Sequence, residues 1–483
     1  MLNRREFAGG VASTLCCALA DGGRTVSWRS PDGERAQRSM NELRQAFADL
    51  RFGMYIHLNM ATYEQREWGD PKVSPRLFNP HGLDTDQWAR AAVSAGMTYG
   101  CLTTKHHDGF CLWPTSTGSP SVNDSSFQHD VVRSYADSFR KHGLKVCLYF
   151  SILDLRANIR PYVVTRQKIE LIKNQLRELL TNYGEITALI IDGWNAGWSR
   201  ISYDEVPFSE IYEHVKSLQP NCLMSDYNQG SFPAPVLYYT DIKQYEQHAG
   251  QTIPAGSTVA SQSATTLQSD WFWKEEYPQQ NLRAASQVVD EWLIPFNEKG
   301  CNLILNVAPN REGRFDQNAV VRLAEIGTLW KGRGSVPRLN PAVTITTRNL
   351  AYTRPSFASS SADTSGPDLA NDNNPGTYWF PDEGQQNGWI ELDLGSPVRF
   401  NTVAMIEPTY LASYGASSRI RSFRVETLHN GAWKDILSRE SGSGVFSITE
   451  TTAERVRLHI IASGPASPGV AELGIYAEPE RNP

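Results

Sequence analysis

From about residue 51 to residue 333, short apolar runs alternate with amphipathic stretches, the pattern of repeated β/α units. The apolar runs predict strands at 52–57, 98–103, 144–151, 187–192, 222–226, 236–241, 266–272 and 301–306. The clearest helix between them spans 163–183, where Ile169, Ile172, Leu176, Leu179, Leu180 and Tyr183 recur at helical spacing and mark a core stripe. Eight such strands in a row predict an α/β fold, a (β/α)8-like TIM barrel over 45–335. A parallel sheet of another closure is the alternative. After Pro337 helical periodicity disappears, and over 340–479 short alternating runs such as Trp389–Leu394, Phe423–Leu428 and Arg455–Ile460 are separated by Gly, Asn, Ser and Pro. That texture predicts an antiparallel β-sandwich of the jelly-roll kind.

The chain carries 46 basic and 52 acidic residues mixed throughout, so it has no field to hold a polyanion, and nucleic acid is excluded as a partner. Thirteen Trp residues are more than a core requires and suit the apolar faces of sugars. The start of the chain, with Arg4 and Arg5, an apolar stretch from Ala8 to Leu19 and Ala18-Leu19-Ala20, reads as an export signal over 1–20, followed by a linker over 21–44. The arginine pair before Glu6-Phe7 resembles a twin-arginine signal, with an ordinary secretory leader or, through Cys16-Cys17, a lipoprotein leader as alternatives. Either route predicts a bacterial protein that is periplasmic or extracellular. No later run approaches the ~18 apolar residues of a membrane span. Beyond the leader, Cys101, Cys111, Cys147, Cys222 and Cys301 are odd in number and lie mostly in or beside apolar runs, so they read as core thiols.

In a β/α barrel, chemistry collects at the C-terminal ends of the strands. Taken strand by strand, those ends offer His57; Lys105-His106-His107-Asp108; Tyr149 and Ser151; Asp192; Asp226 and Asn228; Asp241 and Glu246; Trp271 and Trp273; and Asn306. Histidines, carboxylates and aromatics on one rim are what sugar hydrolysis needs. A metal cluster of His57, His106 and His107 is the competing reading. Against it, barrel metal sites use His-x-His, and adjacent side chains on a strand point to opposite faces. Asp192 ends the run Ala188-Leu-Ile-Ile-Asp192-Gly193, so four apolar residues bury the strand and deliver one carboxylate to its tip. It reads either as a cap for the next helix or as one of the two carboxylates of glycoside hydrolysis. That pair stands about 5–5.5 Å apart for retention and about 6.5–9.5 Å apart for inversion.

Four ordered motifs carry a resemblance: Phe52-Gly-Met-Tyr-Ile-His57, Glu67-Trp68, Lys105-His-His-Asp-Gly-Phe110 with Trp113-Pro114, and Gly300-Cys-Asn-Leu-Ile-Leu-Asn-Val-Ala-Pro309 with Gly313. They resemble glycoside hydrolase family 29, the α-L-fucosidases. The resemblance implies that His57, Glu67, Trp68, His106, His107 and Tyr149 bind the fucose hydroxyls and pack its methyl group. It also implies that Trp271 or Trp273 forms an aromatic wall and that Asp192 is the nucleophile. Leu58-Asn59 and Ile190-Ile191 depart from the family's usual Trp-Gly and Trp-Phe at these places. The family varies at its acid/base; Glu246 is the candidate, with Glu275, Glu276 and Asp241 as rivals.

The C-terminal region resembles the discoidin or coagulation-factor C-type module through Ala370–Trp379, Trp389–Gly395 and Val470–Leu473. That implies a carbohydrate-binding domain with a structural Ca2+ held through Asp372, Thr377 and Glu472, whose oxygen donors suit that ion; a plain turn at Asp372–Pro375 is the alternative. The expected function is a retaining, exo-acting α-L-fucosidase on fucosylated oligosaccharides or glycoconjugates, with no cofactor in catalysis. The alternatives are a glycosidase for a related sugar such as α-L-galactose, or a non-catalytic carbohydrate-binding protein. With every catalytic group placed in the barrel, deletion from Leu339 onward is expected to spare hydrolysis of a small aryl fucoside.

Overall fold

The computed structural model describes residues 38–194, 199–227, 236–246, 259–373, 377–408, 419–440, 443–464 and 467–479. The expected leader over 1–20, most of the linker and Asn228 lie outside the described residues. Helix α1 (Met40–Ala48), opened by a capping box between Ser39 and Glu42, straddles the boundary expected at residue 45.

Eight parallel strands form a nearly closed barrel. They are β1 (Phe52–Ile56), β2 (Tyr99–Lys105), β3 (Lys145–Ser151), β4 (Ala188–Asp192), β5 (Leu223–Asp226), β7 (Lys243–Glu246), β8 (Ser261–Thr266) and β9 (Cys301–Asn306). The sheet runs β5-β4-β3-β2-β1-β9-β8-β7. Between β5 and β7 no strand ladder is present among the described residues. That seam is held instead by bonds such as Asp241 N–H to Met224 O at 2.7 Å and Ser225 Oγ to Ile242 O at 3.1 Å.

Period-2 alternation sorts each barrel strand into two cores. Tyr55, Tyr99, Cys101, Cys147, Tyr149, Ile190 and Ile304 fill the barrel interior. Met54, Leu102, Leu148, Ile191 and Leu305 face outward into the layer beneath the helices. That helix layer includes α2 (Met60–Glu64), α3 (Thr85–Ser94), α4 (Val131–Lys141), α5 (Arg166–Asn182) and α6 (Phe208–Leu218). It ends with α7 (Ile294–Asn297), which continues a π-helical turn, and α8 (Gln317–Trp330). The stripe expected on α5 is buried from Ile169 to Leu180. All five described cysteines are free and buried.

Two expected strands are corrected. The segment 236–241 is not the sixth barrel strand: β6 (Val236–Tyr238) leaves the barrel and pairs in parallel with β10 (Val343–Ile345). The barrel position goes to Lys243–Glu246, too short and polar to stand out in the sequence. The seventh strand is Ser261–Thr266, not 266–272. Its Ser-Gln-Ser-Ala-Thr-Thr sequence has no apolar run because Gln262 bonds side chains of other strands inside the barrel, donating to Gln244 at 2.9 Å and accepting from Tyr99 at 2.6 Å.

The C-terminal domain is an antiparallel sheet of six strands. They are β11 (Ser356–Ala358), β12 (Gly388–Ile406), β13 (Ile420–His429), β14 (Ala432–Arg439), β15 (Gly444–Ser463) and β16 (Glu472–Tyr476). The β12–β15 ladder shifts register between Asp393 and Val398 and again between Phe400 and Thr402. Such bulges bend the sheet, and both halves of β12, through Ile390, Leu392, Phe400 and Val403, reach one core with Val456, Leu458 and Trp379. Barrel and sheet domain belong to one compact unit.

Candidate active site

The barrel topology brings the ends of β1, β2, β3, β4 and β9 to one rim, and local sequence then aims their side chains. After β4, Gly193 has φ +113, and a Cβ there would stand 2.9 Å from the Leu153 nitrogen, so only glycine lets the chain turn so close behind Asp192. After β2, Gly109 has φ +93 and a Cβ would meet the Asp154 carboxylate at 2.1 Å. That carboxylate is committed to Lys105, whose buried Nζ bonds Asp154 at 3.0 Å and Gln175 at 3.0 Å. Lys105 is therefore a buried pillar beneath the histidine turn.

Because β2 ends at Lys105, strand alternation stops there, and His106 and His107 do not point to opposite faces as expected. Their ring centroids are 4.1 Å apart. His106 stacks on Tyr149 at 5.8 Å, while the His107 Nδ1–H donates to Ser151 Oγ at 2.7 Å and its ring faces Trp68 at 4.5 Å. His57 sits between Trp271, at 5.0 Å, and Phe272, at 5.2 Å. Asn306 fixes this corner. Its Nδ2 donates to Trp271 O at 2.8 Å, so its Oδ1 must accept from His57 Nδ1 at 2.7 Å, leaving His57 Nε2 as an acceptor.

Burial dominates the electrostatics. It pushes His57 down to about 3 and His106 well below the ordinary imidazole value, with His107 adding repulsion in both cases. It also lowers His107, although the Asp192 charge opposes the shift. These rings are therefore neutral hydrogen-bonding groups at neutral pH. Asp192 is buried; its Oδ2 accepts from the Tyr149 hydroxyl at 2.7 Å, and its Oδ1 has no hydrogen-bond partner among the described residues. Burial, with repulsion from Asp192 and Glu246, holds the Tyr149 phenol well above its ordinary value, so it remains a donor.

Glu246 is the last residue of β7, in register with Ala264 of β8, and is half-buried. Its charge and that of Asp192 act on the same two phenols, Tyr149 and Tyr227. The two carboxylates therefore flank one group of aromatic rings. A second buried pair lies alongside: Asp226 accepts from the Tyr203 hydroxyl at 2.7 Å and neighbours Lys243. Burial, opposed by Asp226, pushes Lys243 down to about 8.

Not every expected residue joins this group. Trp273 turns away, its Nε1–H bonded to Asp316 at 2.7 Å and its ring packed with Tyr277 and Ala308. Glu67 is exposed and is raised by partial burial and by Asp270. Of the rivals to Glu246, Glu275 pairs with Arg311 on the surface at 2.7 Å, and Glu276 is exposed. Asp241 is buried before β7, at the opposite end from Glu246, and is bonded to Lys216 at 2.8 Å. Phe272 and Tyr227 were missed. Each directly follows a residue already singled out but lies past the end of its strand, where alternation no longer sets direction, so no local signal pointed to it. Among the described residues no cluster of three His, Cys, Asp or Glu is placed to hold a metal.

Comparison with known proteins agrees with this geometry. Residues 27–335 match the family Alpha-L-fucosidase, and residues 356–473 match the F5/8 type C domain. Alpha-L-fucosidase 1 of Arabidopsis thaliana is 27% identical over 457 residues, covering 88% of this chain and 85% of that protein. A glycoside hydrolase 29 family member from an unknown rumen bacterium superposes with a TM-score of 0.52 at 26% identity, over 92% of this chain and 78% of its own. Alpha-L-fucosidase isoenzyme 1 from Paenibacillus thiaminolyticus shares the fold, with a TM-score of 0.52 at 22% identity over 87% and 100% of the two chains. With the family match spanning the whole barrel and its histidine-rich rim, the chain belongs to the α-L-fucosidase family of glycoside hydrolases.

Proposed function

We propose that the protein is a retaining, exo-acting α-L-fucosidase that removes terminal α-L-fucose from oligosaccharides or glycoconjugates. The observation that carries this reading is Asp192, a buried carboxylate with one oxygen held by Tyr149 and the other without a hydrogen-bond partner among the described residues, beside neutral imidazoles. In this scheme Oδ1 of Asp192 attacks C1 while Glu246 protonates the glycosidic oxygen, so the C1–O bond breaks and a β-fucosyl ester forms. Glu246 then takes a proton from water, which attacks C1 and frees Asp192, giving L-fucose with net retention. His57, His106 and His107 bind hydroxyls as neutral groups. The rings of Trp271 and Phe272 beside His57 suit the C5 methyl of fucose better than the hydroxymethyl of α-L-galactose.

Azide separates the two carboxylate roles. Asp192→Gly should lose several orders of magnitude in kcat and, with azide, yield the inverted β-fucosyl azide. Glu246→Ala should still form the intermediate from a substrate with a good leaving group, and azide should then give the α-azide. The opposite product pattern would exchange the roles, and full activity of Glu246→Ala on natural oligosaccharides would remove Glu246 from the scheme.

In the C-terminal domain, Asp372, Thr377 and Glu472 are proposed to hold a structural Ca2+. Thr377 Oγ1 lies 2.7 Å from Asp372 Oδ2, and Glu472 is pushed up to about 8 by burial and by Asp372. The half-buried Asp372 and the buried Glu472, which also accepts from Asn349 Nδ2 at 2.7 Å, bring two carboxylates and a hydroxyl close together, donors that suit a hard divalent cation. Export through the arginine pair is part of the same proposal, and Arg4→Lys with Arg5→Lys should then trap the precursor inside the cell. Unchanged export would sink the twin-arginine route.

A further inference from the structure

A cavity of about 450 Å3 opens where the barrel meets the C-terminal domain. Its barrel wall comes from Tyr203 and Asp204, in the connection from β4 to α6, and from Tyr239 after β6. Its other wall is the segment Arg348–Arg354 with Asn373 of the C-terminal domain. Inter-domain clefts of this size are common ligand sites.

The lining has the chemistry of a sugar site. Tyr203 and Tyr239 stack as one aromatic slab, with centroids 3.8 Å apart and planes at 16°. Tyr352 is 50% exposed. Arg354 is exposed, and its guanidinium makes no hydrogen bond or ion pair among the described residues. Arg348 and Asp204 face each other across the two domains at 3.7 Å, both exposed. Flat rings for pyranose faces and charged donors and acceptors for hydroxyls thus surround one space.

Two further observations set this cleft apart from an accidental gap. Tyr239, Thr353 and Asn373 all line it with positive φ, at +57°, +53° and +56°. For an aromatic and a β-branched residue that conformation is costly, and such strain tends to collect at ligand sites. The cleft is also joined to the catalytic rim. Tyr203 donates from its wall to Asp226 at 2.7 Å, and Asp226 is paired in register with Ile191, the residue before Asp192.

We infer that this inter-domain cleft is an accessory carbohydrate site, which takes neutral pyranose units of the glycan other than the terminal fucose. It rests on the fucosidase reading for its substrate but uses none of the residues assigned to hydrolysis. The C-terminal domain contributes Tyr352 and Arg354 to it, so recognition of the glycan is shared between the two domains at their junction.

The test uses the full chain with Tyr352→Ala and Arg354→Ala, two exposed positions. Steady-state kinetics are compared on an aryl α-L-fucoside and on a fucosylated oligosaccharide of several sugars. For the oligosaccharide, each variant should raise KM about tenfold, equivalent to ~1.4 kcal/mol of lost contact, with kcat retained. The aryl fucoside, which has no further sugar, should keep its kcat/KM. In parallel, the same oligosaccharide lacking fucose is titrated into the unmodified protein and both variants by calorimetry, with saturable binding expected only in the unmodified protein. Unchanged oligosaccharide KM in both variants, equal losses on both substrates, or absent binding of the fucose-free glycan would each overturn the inference. Failure of the fucosidase reading would show separately, as no turnover of the aryl fucoside by the unmodified protein.

Discussion

Asp241→Asn should destabilise the protein and slow hydrolysis together, because this buried carboxylate fastens the strand that carries Glu246. Oδ1 of Asp241 accepts from Tyr212 at 2.9 Å and from Thr344 at 2.9 Å; Oδ2 accepts from Lys216 at 2.8 Å and from the Met224 N–H at 2.9 Å. Arg44 completes the knot, bonding Asp241 O at 2.8 Å, Ala342 O at 2.5 Å and Thr344 Oγ1 at 2.6 Å. Three regions therefore meet here: helix α1, the open seam between β5 and β7, and β10 of the C-terminal domain. Removing one charge of a buried pair costs about 3–5 kcal/mol. Lys216 keeps 17% of its side chain exposed, which favours the lower end of that range. At roughly 2 °C per kcal/mol for a chain this long, the melting temperature should fall by roughly 5–10 °C at pH 7.

The pH dependence gives a sharper check. Burial alone would raise Asp241, but Lys216 and Arg44 outweigh it and hold the carboxyl below its ordinary value. A depressed folded-state value means that the stabilisation is fully present above the unfolded value near ~4 and disappears as pH falls through the folded one. Melting curves of the two proteins should therefore converge only in strong acid. A difference below about 2 °C at pH 7, or kcat unchanged despite the lower melting temperature, would refute the clamp. Deletion from Leu339 onward removes Ala342, Thr344 and β10 at once. That reverses the expectation drawn from the sequence: the shortened barrel should lose much of its activity on a small aryl fucoside.

Tyr149→Phe deletes a 2.7 Å hydrogen bond to the Asp192 carboxylate, worth about 1.5–3 kcal/mol for a charged acceptor, so kcat should fall at least ~10-fold with the fold intact. Activity within twofold of the unmodified protein would show that Asp192 is oriented by other groups. If Asp372, Thr377 and Glu472 hold Ca2+, the ion must displace the proton that burial keeps on Glu472 up to about pH 8. Without the ion, a raised carboxyl stabilises the fold most at low pH and loses that contribution as pH rises towards 8. Added Ca2+ should therefore raise the melting temperature more at pH 8 than at pH 5, and an equal effect at both would refute the site.

Much of the architecture was legible in the chain because it follows from short-range pattern. Six of the barrel strands announced themselves as apolar runs, since burial on both faces favours apolar side chains, and the α5 stripe followed from helical period. The rim residues His57, Tyr149, Asp192 and Asn306 were found by asking where each run stops. The tertiary structure decided what no local pattern encodes. Strand β8 is polar because its partners, Gln244 and Tyr99, come from other strands. Strand β7 is four residues long and is held by a knot reaching from Arg44 to Thr344, 300 positions apart. Likewise Trp271 faces His57 while Trp273 faces Asp316, although a strand's period of 2 would have put both rings on one side. That segment is not a strand, and only the packing of the surrounding loops sets the direction of each ring.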